Sequence, residues 1–256
     1  MVLFKGKRKY ALSFILILML LFTASTAYAT DTDTVIPSIE VNFGQDGDNV
    51  ASSIQILVLI TILSLAPSIL IMMTSFTRFI IVFSFLRRAI SLQSTPPNQV
   101  LIALSLFMTF FVMTPVFSDV IDNAYEPYVN QEISQEEAID NAVAPMKEFM
   151  LRQTREEDLA LFVDMSEGPQ YETLEEIPIT TVIPAFLISE IKTGFEIGFI
   201  LFIPFIVIDM VVASTLMSLG MMMLPPVMIS LPFKVLLFIM VDGWNLLVEQ
   251  MLMSIK

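Results

Sequence analysis

The chain has 256 residues, of which 55% are hydrophobic, and it carries a net charge of −13 at pH 7. This composition is more apolar than that of ordinary soluble domains and places the chain in the membrane class. Cysteine and histidine are both absent, which excludes disulfides, cysteine nucleophiles and the commonest metal ligand and general base. The sequence also lacks the P-loop, HExxH and GxSxG motifs. We therefore predict no enzymatic activity, no cofactor and no metal.

Residues 1–29 have the three parts of a cleavable signal peptide. A basic region at residues 5–9 precedes a short apolar stretch at 11–22, and Ala27-Tyr28-Ala29 fits the small-x-small cleavage rule. We predict cleavage after Ala29; an uncleaved first span is the alternative. Residues 30–50 are polar, and we expect them to form a flexible leader that begins outside the cytoplasm.

A first helical hairpin is predicted for residues 51–118. The stretches 49–77 and 89–118 contain no charged residue, and each is long enough to span a bilayer. Between them lie Arg78, Arg87 and Arg88 and a turn with two prolines. By the positive-inside rule these arginines place the turn on the cytoplasmic side.

Residues 119–181 form an acidic segment that we expect to be extracytoplasmic and exposed to water. Between positions 119 and 176 there are sixteen acidic residues and only three basic ones, Lys147, Arg152 and Arg155. Such charge-rich stretches are usually solvated surfaces. Within the segment, the near-helical spacing of apolar residues at 144–162 predicts an amphipathic helix or a pair of helices.

A second helical hairpin is predicted for residues 182–256, with one arm ending near Gly220 and the other beginning after Pro226. Its prolines are expected to break the helices. Its arms also carry charges, and charges inside a membrane normally face protein or water and are often paired. The prolines are Pro184, Pro204, Pro225, Pro226 and Pro232. The charged residues that we predict to form intramembrane ion pairs for assembly are Glu190, Lys192, Glu196, Asp209, Lys234 and Asp242.

Two specific pairings are suggested by position. Lys192 and Glu196 are four residues apart and could pair on one helix face. Asp209 and Lys234 lie on opposite arms, each in a long uncharged stretch, and are candidates for a pair across the hairpin or between subunits. The alternative is a proton relay of an ion-coupled secondary transporter that uses Glu190 together with Lys192, Glu196 and Asp209.

Three consecutive methionines occupy the predicted turn of the second hairpin. Met221, Met222 and Met223 follow Gly220 and precede a proline pair. Methionine is unbranched and polarizable and fills irregular gaps. Copies of this loop that meet around an axis would form a deformable hydrophobic plug; the alternative is that the methionines simply pack a core.

The stretches PAFLISEIKTGFEIG (184–198) and PFKVLLFIMVDGW (232–244) resemble the signatures of the FliP/SctR family of type III export-gate proteins. Similar matches extend over 67–90, 98–116, 148–162 and 219–226. The resemblance implies an all-α membrane protein without enzymatic activity that assembles with further copies, FliQ and FliR into a helical multi-subunit gate. In that gate the helices would lie largely in a stack of subunits and not each in lipid.

The resemblance also implies a function and residue roles. The gate would pass unfolded flagellar subunits across the bacterial cytoplasmic membrane at the flagellar basal body, with FlhB and membrane lipid as further partners and no nucleic acid. Met221, Met222 and Met223 would form the gasket that seals the closed pore, and Phe195 would line it. An injectisome subunit is the alternative, and the signal peptide and acidic segment favour the flagellar system.

Overall fold

The computed structural model describes residues 56–255 except 59, 62–63, 66–67, 70, 93, 167–170 and 222. The predicted signal peptide with its cleavage site at Ala29, the leader and Met222 therefore lie outside the described residues. By its contacts the chain divides into Met1–Leu57 and Val58–Lys256. Only residues 56–57 of the first unit are described, and they are helical. The fold described below is that of the second unit.

Every regular element among the described residues is helical, which confirms the predicted all-α class. Residues 58–72 are helical wherever they are described, and a short 3₁₀ turn occupies Leu174–Glu176. The helices that follow are α1 (Phe76–Ala89), α2 (Asn98–Val120, extended by a π-helical turn at Ile121–Tyr125 and by Glu126–Val129), α3 (Gln135–Gln153), α4 (Glu156–Met165), α5 (Ile179–Ser218), α6 (Pro226–Met240) and α7 (Gly243–Met253).

Two of these helices are long and apolar enough to cross a membrane, namely Asn98–Val129 and Ile179–Ser218. A third crossing is available if α6 and α7, which meet at an angle of 64°, act as one bent span. An α-helix rises 1.5 Å per residue, so the 40 residues of α5 extend about 60 Å, roughly twice the thickness of the hydrocarbon core. Part of α5 must therefore lie outside the hydrocarbon.

Helix α1 is the centre of the packing. It lies against α5 where that helix carries Gly194 and Gly198, and a Cβ atom added at Gly198 would come within 2.5 Å of the ring of Phe85. Gly194 makes the same kind of close approach to Ile81. The two glycines, one helical turn apart, allow the two helices to approach closely.

Two hydrophobic cores extend from this contact. The first joins α1 to α2, α5, α6 and α7, and the second joins the C-terminal half of α2 to α3 and the beginning of α5. Their fully buried large side chains include Phe79, Phe83, Leu86, Met113, Met150, Phe186 and Met251. The second core fastens the acidic segment to the two candidate membrane helices.

The acidic segment is a pair of amphipathic helices, α3 and α4, as the apolar spacing at 144–162 predicts. Helix α3 starts with the sequence Ser-Gln-Glu-Glu, and the Ser134 hydroxyl accepts a hydrogen bond from the backbone N–H of Glu137 at 3.2 Å, which is a typical N-terminal cap. Three acidic residues occupy the first turn of α4, where they face the positive end of the helix dipole.

The expectation that prolines break the second hairpin is wrong for three of them. Pro184 and Pro204 lie inside α5, and Pro232 lies inside α6. A proline removes one donor from the helical ladder, and the hydrogen bonds on both sides of it continue the helix. The actual break comes at Asp242, which has left-handed backbone angles of φ 50° and ψ 51°. Pro225 and Pro226, in contrast, stand at the start of α6.

Candidate functional site: charged contacts and the methionine loop

The most deeply buried charges belong to Arg78 on α1 and Glu190 on α5. Their side chains are only 3% and 1% exposed, and they form a two-pronged ion pair in which Arg78 Nε donates to Glu190 Oε2 at 2.9 Å. The same guanidinium donates to the backbone carbonyl of Ser254 at 2.8 Å and to Gln153 Oε1 at 3.1 Å. Arg78 thus ties together α1, α3, α5 and the end of α7.

Arg78 does not belong to the basic turn in which the sequence places it. It lies in the first turn of the 14-residue α1, whereas Arg87 and Arg88 lie in its last turn. Arg87 donates to the carbonyl of Pro96 at 3.2 Å and to Asn98 Oδ1 at 2.6 Å, and Arg88 is exposed. Only these two arginines mark the turn between α1 and α2.

A second group of polar contacts holds α4 against α5. Asp158, which is 2% exposed, accepts hydrogen bonds from Ser189 Oγ at 2.8 Å and from Lys192 Nζ. Arg155 forms a two-pronged pair with Glu196, at 2.9 and 2.6 Å. The predicted pairing of Lys192 with Glu196 is therefore wrong, because the helix face that they share with Ser189 is covered by α4, which supplies a closer partner for each.

These contacts shift the pKa values of Asp158 and Arg155. Burial acts to raise the pKa of the Asp158 carboxyl, but the hydrogen bonds from Lys192 and Ser189 and the nearby positive charges outweigh it, so the pKa lies below its ordinary value. The hydrogen bond to Glu196 raises the pKa of the Arg155 guanidinium. Both groups are thus held in their charged forms.

The Asp209–Lys234 pair joins α5 to α6, as the isolated positions of the two residues predict. Lys234 Nζ donates to Asp209 Oδ2 at 2.6 Å and to Ser91 Oγ at 2.8 Å. Ser230 Oγ donates to the other carboxylate oxygen of Asp209 at 2.6 Å. The lysine is buried, whereas the aspartate side chain is 32% exposed. Asp242 is exposed at the break before α7 and takes part in none of the ion pairs found among the described residues.

The methionine loop, residues 219–225, connects α5 to α6. Gly220 ends α5 with φ +76°: its N–H donates to the carbonyl of Met217 at 3.0 Å, and the N–H of Met221 donates to that of Leu216 at 3.0 Å. This is the usual glycine stop of a helix. Met221 is 46% and Met223 98% exposed. The described part of the loop therefore presents its apolar side chains away from the rest of the chain.

Phe195 lies on an outward face of α5, where its side chain is 54% exposed. Its ring contacts Phe85 edge-on, with 5.0 Å between the ring centroids. Phe199, one turn further along, is 64% exposed. The predicted pore-lining residue is thus part of an exposed aromatic surface and not part of either core.

The four charged side chains on α5 are all engaged in ion pairs with neighbouring helices. In the part of the chain that the structure describes, no three acidic residues come together in a way that could hold a metal ion. The most buried carboxylates, Glu190 and Asp158, are occupied by ion pairs. Sequence reasoning missed Gln153, Asp158 and Ser254 as partners, because nothing in their local pattern distinguishes them from ordinary helix residues.

Two long apolar helices, packed against further helices through two hydrophobic cores, define an integral membrane protein. The FliP family matches residues 59–251 of this chain. The chain is 56% identical to the flagellar biosynthetic protein FliP of Bacillus subtilis (strain 168) over 216 residues. This alignment covers 84% of the chain and 98% of the relative. The protein of the same name from Pectobacterium carotovorum subsp. carotovorum is 55% identical over 81% of each chain.

A third relative, FliP of Aquifex aeolicus (strain VF5), is 50% identical over 86% of this chain and 92% of its own length. The chain therefore belongs to the FliP family. This family is not a family of enzymes, which confirms the prediction made from the missing catalytic motifs.

Proposed function

We propose that this chain is a core pore-forming subunit of the flagellar type III export gate and passes unfolded flagellar subunits across the cytoplasmic membrane. The observation that carries the proposal is the methionine loop: α5, a helix long and apolar enough to cross a membrane, ends at Gly220, and the exposed side chains of Met221 and Met223 follow in the turn to α6. The three relatives described above are all flagellar biosynthetic proteins, which favours the flagellar system over a virulence injectisome.

The exposed apolar surface argues for assembly with other chains. Side chains on α2, α5 and α6 that are more than half exposed include Phe107, Phe111, Phe199, Ile200, Met210, Met228 and Met240. A surface of this size must be covered by lipid or by protein. Further copies of this chain, FliQ and FliR are the proposed neighbours in a helical multi-subunit gate, and FlhB is a further proposed partner.

In such an assembly the methionine loops would meet around the axis of the pore. A methionine side chain has three rotatable bonds and no branch, so a ring of them can close on itself and deform around a passing chain. Met221, Met222 and Met223 would form this gasket. Phe195, on the exposed aromatic face of α5, would line the closed pore further along its length.

The acidic segment gives the proposed orientation. Asp158 and Arg155 and their partners hold the acidic segment on the first half of α5. This half carries Glu190, Lys192 and Glu196, and charged side chains are costly to place in hydrocarbon. The residues from 197 to 208 are uncharged and are suited to a hydrophobic surrounding. The acidic segment would then lie outside the cytoplasm, and Arg87 and Arg88 inside it.

The buried charges fit a structural role better than a proton relay. Glu190 is enclosed by Arg78, and Asp209 has both oxygens engaged by Ser230 and Lys234. A relay requires a chain of groups that can exchange protons, whereas each of these charges has a fixed partner on another helix. We therefore assign the ion pairs to folding and assembly of the gate.

The test is to replace the three methionines together by alanine in the native bacterium, with Met165→Ala on α4 as the matched control. Flagellar protein export and leakage of a small dye or ions are measured in the same cells. The proposal predicts that the loop variant leaks while its export is largely retained. The control should show normal export and no leakage. Loss of the assembled complex without leakage would mean that the methionines only pack a core, and the sealing role would be rejected.

A further inference from the structure

The acidic segment contains an apolar groove that none of the roles above uses. It lies between the end of α2, at Val120, Ala124, Tyr125 and Tyr128, and the beginning of α3, at Gln135, Ala138, Ile139 and Ala142, and it encloses about 340 Å³. Seven of these eight lining residues are alanine, aliphatic or aromatic. We propose that this groove, the α2–α3 groove, is a docking site for a short amphipathic helix with basic flanks from a partner protein.

The groove has the shape that a helix requires. On α2 the lining residues recur at positions 120, 124, 125 and 128, and on α3 at 135, 138, 139 and 142. Each set follows the helical repeat and forms one face, so two helix faces form the two walls. The α3 wall spans seven residue steps, or about 10 Å, which matches two turns of a partner helix.

The walls are held in place without a ligand. The Asn141 side chain on α3 donates to the backbone carbonyl of Asn123 at 3.0 Å, within the π-helical turn at Ile121–Tyr125. Ala124 is buried as the floor of the groove, while Tyr125, Tyr128 and Ile139 remain 63%, 45% and 54% exposed. A preformed site of this kind binds without the cost of ordering its own backbone.

The charge around the groove selects the partner. Residues 119–142 contain seven carboxylates and no lysine or arginine, and all seven carboxylates are exposed, namely Asp119, Asp122, Glu126, Glu132, Glu136, Glu137 and Asp140. An apolar groove with an acidic rim complements a helix with leucine- or isoleucine-type anchors and flanking lysines or arginines. The same rim would repel a second copy of this segment and an anionic lipid surface.

The test uses the full chain in detergent micelles and a fluorescent peptide of roughly 16 residues with apolar anchors at i, i+3, i+4 and i+7 and lysines elsewhere. A peptide of the same composition in scrambled order is the control for charge alone. Affinities are measured by anisotropy for the unchanged chain, for Ile139→Ser in the groove, and for Met165→Ser, an exposed position on α4.

We expect the ordered peptide to bind about ten-fold more tightly than the scrambled one, and Ile139→Ser to weaken it about five-fold, since a hydrophobic anchor contributes on the order of 1 kcal/mol. Met165→Ser should leave the affinity within about two-fold. Equal affinity for both peptides would overturn the proposal, because acidity alone would then explain the binding.

Two further outcomes would also overturn it. If Ile139→Ser lowers the mass of the particle in light scattering and leaves peptide affinity unchanged, the groove holds a second copy of the chain. If binding seen in micelles disappears in nanodiscs, the bilayer covers the groove. Failure of any of these tests would leave the methionine-loop test unaffected, because the two use different parts of the chain.

Discussion

Removing the charge of Arg78 while keeping its bulk, in Arg78→Met, should destabilise the protein strongly. The substitution leaves Glu190, with a side chain only 1% exposed, as a buried carboxylate without its counter-charge. It also removes the hydrogen bonds that Arg78 donates to the carbonyl of Ser254 and to Gln153 Oε1. Breaking one side of a buried ion pair costs about 3–5 kcal/mol, which corresponds to a decrease of between about 6 and 20 °C in Tm for a chain of this size.

The measurement is thermal unfolding of the purified chain in detergent, followed by circular dichroism. Arg88→Met is the matched control, because Arg88 lies on the same helix and is exposed; it should shift the Tm by at most about 2 °C. The double variant Arg78→Met/Glu190→Leu should recover much of the loss, because no unpaired charge then remains buried.

Two results would contradict a stabilising role for the Arg78–Glu190 pair. If Arg78→Met unfolds at the same temperature as Arg88→Met, the buried pair contributes nothing to stability. If the decrease in Tm of the double variant equals the sum of the decreases for Arg78→Met and Glu190→Leu, the two residues are not energetically coupled. The buried contact is then not what makes Arg78 important.

The remaining predictions concern the other contacts of α5. Because the folded-state pKa of Asp158 is lowered, its stabilising effect is present above the unfolded-state pKa near 4 and is lost as the pH falls through the folded-state value; Asp158→Asn should remove this part of the acid dependence in unfolding curves recorded from neutral to acidic pH. Gly198→Ala should cost about 1–3 kcal/mol, because its Cβ would lie 2.5 Å from Phe85 Cγ, and more than Gly194→Ala, where the nearest atom is 3.0 Å away; equal losses of Tm would contradict this. Lys234→Met should cost less than Arg78→Met in the same assay, since Asp209 keeps its hydrogen bond from Ser230 and its partial exposure.

The sequence predicted those features that depend on composition along one helix. The uncharged tract at 89–118 predicted a long apolar helix, and α2 confirms it. The uncharged tract at 49–77 lies only partly within the described residues. Asp209 and Lys234, each in a long uncharged stretch of its arm, could be paired with each other because no other charge stands within seven residues of either in the sequence. The turn at Gly220 could be placed because glycine readily adopts the positive φ that ends a helix there.

The features that the sequence could not give depend on contacts between distant segments. Arg78 and Glu190 are 112 residues apart, and the basic residues near the turn made a cytoplasmic position for Arg78 the natural expectation. Lys192 and Glu196 fulfil the i, i+4 rule, but a helix from the acidic segment covers their face and supplies Asp158 and Arg155. Local spacing shows which residues share a face and does not show which helix covers it.

A cross-link between the methionine loop and a protein in transit would show directly whether exported chains pass this loop. The chain has no cysteine, so Met223→Cys introduces a unique thiol at a 98% exposed position, and Met165→Cys, at 75%, is the control. An export substrate is stalled by a folded domain at its end and carries one cysteine in its unfolded part. Our account predicts that a short bismaleimide joins the substrate to position 223 and not to position 165. Equal cross-linking at both positions, or none at 223 while the substrate is stalled, would contradict it.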